Sequence, residues 1–74
     1  MKFLIVIEKT RTGFSAYSPD LDGCVAAART RPSVIRAMQR AVEFHLEGLR
    51  AEGRRRPQPS SDVAYVEVNR GPGG

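Results

Sequence analysis

Residues 19–24 read PDLDGC: two carboxylates, a proline, a glycine and the only cysteine of the chain within six positions. Such a cluster fits the floor of an active site, a metal loop or a chain reversal. Pro19 sets its own φ, Asp20 and Asp22 can accept backbone N–H bonds, and Gly23 admits a positive φ, so the plain reading is a turn between two strands. Leu21 at its tip is then either tucked into the core or offered to a partner. The flanking sequence has to decide.

Before the turn, Met1 to Glu8 is rich in β-branched and aromatic residues, and TRTG (10–13) supplies turn chemistry before the pattern resumes at Phe14. A hairpin follows, with strands over about 2–8 and 13–18. After the turn, CVAAAR (24–29) continues as a third strand. From Thr30 the period changes: Val34, Ile35, Met38, Ala41, Val42, His45, Leu46 and Leu49 fall on one side of a helix, with Arg36, Gln39, Arg40, Glu43, Glu47 and Arg50 opposite. Thr30 can cap that helix, Pro32 is tolerated in its first turn, and Gly53 suits its C-terminal stop. RRRPQPSSD (54–62) is a linker, because Pro57 and Pro59 cannot continue the helix. Asp62 to Val68 (DVAYVEV) alternates again and predicts a fourth strand, followed by NRGPGG, too rich in glycine and proline to pack.

The expected architecture is therefore α+β: a single small domain of order β-β-β-α-β, a mixed sheet with one helix on one face. Residues 1–68 form the domain and 69–74 a flexible tail. The first strand is apolar on both sides, Phe3, Ile5 and Ile7 one way and Leu4 and Val6 the other, whereas one helix covers one face. A second cover is expected, most simply another copy in a homodimer. Leu4 and Val6 are candidate interface residues, together with Phe44, which sits just off the helical stripe near Ala37 and Gly48.

Composition narrows the function classes. A chain of 74 residues, 41% hydrophobic and 27% charged, is a folded unit with little core of its own. A lone cysteine gives neither a disulfide nor a thiol set for structural zinc, which suits a reducing, cytoplasmic setting. The apolar run at the start is cut by Glu8 before signal or membrane-spanning length, so neither export nor membrane insertion is expected. A net charge of +4 is compatible with nucleic acid or an acidic protein.

The joint order of the hydrophobic first strand, Gly-Phe-Ser-Ala-Tyr (13–17), PDLDGC, a capped helix containing AVEFHLEGL (41–49), then Gly53 and Pro-x-Pro-Ser (57–60) resembles the HicB-type antitoxin domain over roughly residues 1–68. The resemblance implies a partial ribonuclease-H-like fold and a binding activity: such proteins sit on a small HicA-type toxin that cleaves messenger RNA, and block it. Many also carry a C-terminal DNA-binding segment; this chain leaves no room for one, so none is expected. Two departures stand out. Asp22 occupies the place where the family usually has proline, and AAART (26–30) lacks the common Gly-Asp before the threonine.

The chemistry agrees with a binding role and no catalytic residue. A ribonuclease-H-type site needs converging carboxylates to hold divalent metal, whereas the sheet-facing side of the helix offers Ala41, Val42 and His45. Asp20 and Asp22 lack the further oxygen ligands a calcium loop requires. Cys24 has no base beside it and reads as a small buried hydrophobe, and His45 as a core or interface histidine. No metal or cofactor is expected. Tyr17, Pro19, Asp20, Leu21, Asp22 and Gly23 are the candidate partner contacts. Arg54, Arg55 and Arg56 are the candidate contact with an acidic partner or nucleic acid, weak and nonspecific because three adjacent charges without aromatics read no sequence. An RNA-binding protein using this linker is the alternative function, and an RNase-H-like enzyme a distant third.

Overall fold

The computed structural model describes residues 1–71 and gives three strands and one helix: β1 (Val6–Lys9), β2 (Phe14–Tyr17), β3 (Val25–Ala28) and α1 (Arg31–Ala51). The strands pair in the order β1-β2-β3, each antiparallel to its neighbour. β1 and β2 are joined by a tight turn in which Thr10 N–H donates to Gly13 O at 2.9 Å and Gly13 N–H to Thr10 Oγ1 at 3.0 Å. The α+β class, with a single helix on one sheet face, is as the alternation and period imply, and it is consistent with a partial ribonuclease-H-like arrangement.

Register sorts the two faces. Ile7, Ala16 and Ala26 stand opposite one another and face the helix; Val6, Tyr17 and Val25 form the adjacent row on the outer face. The core is small: Ala16, Leu21, Cys24, Val34 and Met38 are buried, with Ile7, Phe14, Ile35, Val42 and Leu46 packed around them. α1 presents its expected stripe inward and its charged residues outward. It rests chiefly on β3 and β2.

Both helix ends follow from local chemistry. Thr30 Oγ1 accepts from Ser33 N–H and Ser33 Oγ from Thr30 N–H, each at 3.2 Å, a reciprocal capping box. At the other end Gly53 adopts φ +72°, and the bonds Gly53 N–H to Arg50 O and Arg54 N–H to Leu49 O close a Schellman motif.

Two expectations are corrected. The strands are shorter than the sequence suggests, because residues 2–5 extend past the end of β2, where the chain turns away at Ser18. There a side chain replaces the ladder, with Ser18 Oγ donating to Leu4 O at 3.0 Å. The fourth strand is not in the sheet: among the described residues 62–68 pair with no strand, and Tyr65 is 94% exposed. The order is β-β-β-α and the sheet is antiparallel, not mixed. The physical reason is cover. Alternation gives an extended backbone, but a ladder is stabilised when one side of the strand is buried, and α1 lies over β2 and β3 rather than over β1 and whatever would flank it. Of the tail expected at 69–74, residues 72–74 lie outside the described residues.

Candidate functional site

The PDLDG turn is built from three backbone bonds. Ser18 N–H donates to Cys24 O, Leu21 N–H to Ser18 O and Cys24 N–H to Leu21 O, at 3.2–3.3 Å, and Gly23 supplies φ +77°. This folding drives Leu21 inward, to 1% exposure. Leu21 therefore belongs to the core and not to the partner-facing residues among which the sequence places it. The turn has to bury an apolar side chain at its centre to pin the loop, and Leu21 is the only large one it has. Tyr17, Pro19, Asp22 and Gly23 are exposed around it.

Asp20 has a different job from its neighbour. Its Oδ2 accepts from Ser60 N–H and Ser61 N–H, both at 3.1 Å, and its Oδ1 from Ser60 Oγ at 3.0 Å and Ser61 Oγ at 2.8 Å. Four donors on one carboxylate hold it ionised: the Ser61 hydroxyl, then the Ser61 and Ser60 N–H groups, lower its pKa from an ordinary 3.8 to about 2. Asp20 is thus a clasp tying the turn to the segment after the prolines, forty residues on, with its lone pairs already engaged. Ser60 and Ser61 are the partners of Asp20 that the sequence reading passed over. Adjacent serines behind a Pro-x-Pro linker bring two N–H and two O–H donors to one place, but water could satisfy them as well, so nothing local pointed to Asp20.

The other candidates separate. Cys24 is buried, and burial raises its thiol pKa, so the thiolate needed for nucleophilic attack is disfavoured. His45 is half-buried on the flank of α1. Leu4 and Val6 are half-buried on the β1 side of the sheet, while Phe44 lies exposed beside β3 at the opposite edge, so the structure does not bring these three together. Arg54, Arg55 and Arg56 are exposed, but their surroundings are mixed in sign: Arg54 pairs with Glu52 at 3.6 Å, and Glu43 and Glu47 border the same depression as Arg54 and Arg56. Among the described residues, no three His, Cys, Asp or Glu side chains are grouped to hold a metal. No helix of these residues is long and apolar enough to cross a membrane.

The exposed, clasped turn lies beside a short antiparallel sheet and one helix. Its family can be read from comparison. Residues 3–70 match the model of the HicB-like antitoxin of bacterial toxin-antitoxin systems. The chain belongs to this family. It is 29% identical over 66 residues to a 14.9 kDa protein from the rep-hol intergenic region of Haemophilus phage HP1, covering 89% of this chain and 50% of that protein. It is also 36% identical over 47 residues to a UPF0150 protein of Helicobacter pylori, covering 64% of this chain and 65% of that protein. The chain thus spans about half to two thirds of the length of these two relatives. Among solved structures it is similar to a chain of a HicA3 and HicB3 toxin-antitoxin complex, at 37% identity and a TM-score of 0.64, over 80% of this chain and 72% of that one.

Proposed function

We propose that this HicB-like chain is a non-enzymatic binding module that silences a HicA-type, messenger-RNA-cleaving toxin by covering the toxin's working surface. The observation that carries the reading is the likeness to a chain of a HicA3 and HicB3 complex at 37% identity, joined to a family match over residues 3–70. The exposed part of the turn, Tyr17, Pro19, Asp22 and Gly23, is the contact we assign to the toxin. Asp20 serves it indirectly, by holding the turn to Ser60 and Ser61. Asp22 supplies a free carboxylate, which suits a cationic toxin surface of the kind that holds RNA phosphates. Arg54 to Arg56 add a salt-sensitive contribution at most, because carboxylates share their surroundings. The module works in the cytoplasm, where its single thiol stays reduced, and it self-associates.

Co-expression of this chain with a HicA-type toxin tests the reading. A stable co-eluting complex that is lost with Tyr17→Ala and Asp22→Lys combined, while the variant keeps its helical circular dichroism, supports it. Unchanged capture by that variant moves the toxin contact elsewhere on the surface.

A further inference from the structure

The hairpin end of the sheet gathers positive charge that no single stretch of sequence shows. Lys9, Phe14 and Ala28 stand in register across the three strands, so the end of β1, the TRTG turn and the end of β3 share that end. Gly13 packs so tightly there that a Cβ on it would collide with Ala28 O and Arg29 Cα, which sets the turn carrying Arg11 against Arg29. α1 then begins at Arg31. Lys9, Arg11, Arg29 and Arg31, from four segments, thus meet at one pole, and all four are exposed. Among the described residues none of them takes part in an ion pair. The one carboxylate in these segments, Glu8, stands in the row of Ser15 and Ala27, on the other face of the sheet from Lys9. α1 has no acidic residue in its first turn, so the positive end of its dipole adds to the field. Tyr65 completes the pole: it is 94% exposed and borders, with Val63, the same depression as Lys9 and Arg31. Cations with an open aromatic face beside them are what the Arg54–Arg56 run lacks.

We propose that this pole binds a single-stranded nucleic acid, its phosphates on Lys9, Arg11, Arg29 and Arg31 and one base stacked on Tyr65. The two outer strands of a three-stranded sheet lie about 10 Å apart, so the cations follow a backbone rather than cage one phosphate. A base stacks on an aromatic ring through its face, which a single strand offers and a duplex keeps within its own stack. Ring and charges read no base edge, so the site is tolerant of sequence. RNA and single-stranded DNA share the backbone charge and the base faces, and both fit. The pole lies at the opposite end of the strands from the PDLDG turn, and the proposal does not depend on the toxin. Arg54 to Arg56, beyond the far end of α1, take no part in it.

Fluorescence anisotropy of the full chain with a short labelled RNA strand, the matching DNA strand and a DNA duplex, between about 50 and 200 mM salt, is the test. Four phosphate contacts on a single strand give a logarithmic salt slope of about −2.8, a loss of about fiftyfold over that range. Arg11→Gln and Arg29→Gln together should halve the slope, so that the loss falls to about sevenfold. Tyr65→Ala should weaken binding about tenfold at every salt concentration and leave the slope alone, because stacking releases no counterion, and Tyr65→Phe should bind as wild type does. All three residues are exposed, so circular dichroism of the variants should be unchanged. Absence of binding at about 50 mM salt overturns the proposal. So does a duplex bound as tightly as the single strands, or a Tyr65→Ala variant that binds as wild type does. A slope that falls on replacing Arg54, Arg55 and Arg56 by Gln, and not on replacing Arg11 and Arg29, overturns it in favour of the linker.

Discussion

Asp20 and Asp22 show how far residue type alone can mislead. Two positions apart in one turn, they look equivalent, yet one is locked by four hydrogen bonds and the other is exposed, with no side-chain hydrogen bond among the described residues. Asp20→Asn should loosen the clasp: amide exchange at Ser60 and Ser61 should rise and Tm should fall, with Leu21 and its neighbours still protected. The clasp also sets an acid limit. A carboxylate whose pKa falls from 3.8 unfolded to about 2 folded stabilises the fold fully above the higher value, and that support is lost as pH drops through the lower one. Acid unfolding of wild type should therefore steepen between about pH 4 and pH 2, and the Asn variant should lack that component. Leu21→Ala should cost about 2–5 kcal/mol in urea unfolding, since it empties a fully buried leucine site. A cost below 1 kcal/mol would mean that Leu21 is exposed in solution and returned to the partner surface.

The elements were legible to unequal degrees. α1 was plain in the sequence because seven apolar residues and His45 keep helical spacing, and Thr30 and Gly53 bracket them with the chemistry that helix ends demand. Thr30→Ala should destabilise the chain by about 1 kcal/mol, removing an acceptor for Ser33 N–H, and thermal melting measures it directly. The three strands were legible in place but not in length, since only pairing decides where a strand stops and β2 is short. The segment 62–68 was misread. Its alternation is genuine, but alternation says which side chains share a side, not whether anything lies there to bury them. The turn was read correctly as a turn, while the role of Asp20 within it depended on residues forty positions away that no local pattern connects to it.

At the scale of the whole molecule, the five buried apolar residues among the described ones make a thin core, and the fold leaves Phe44, Val25, Tyr17 and the 63–68 segment facing outward. Such a domain leaves apolar surface open, which suits the binding role proposed for it. The purified chain alone, with magnesium or manganese, should leave labelled RNA and RNA–DNA hybrid intact, because the buried helix face offers no carboxylate. Cleavage abolished by Glu8→Gln would contradict this. The central claim is occlusion of a toxin, and the rate of messenger-RNA cleavage by a HicA-type toxin, titrated with this chain, tests it most directly. The account predicts that cleavage falls linearly and stops at a fixed stoichiometric ratio of chain to toxin, with the Tyr17→Ala, Asp22→Lys variant failing to stop it. Cleavage continuing at its full rate in the presence of excess folded chain would contradict it.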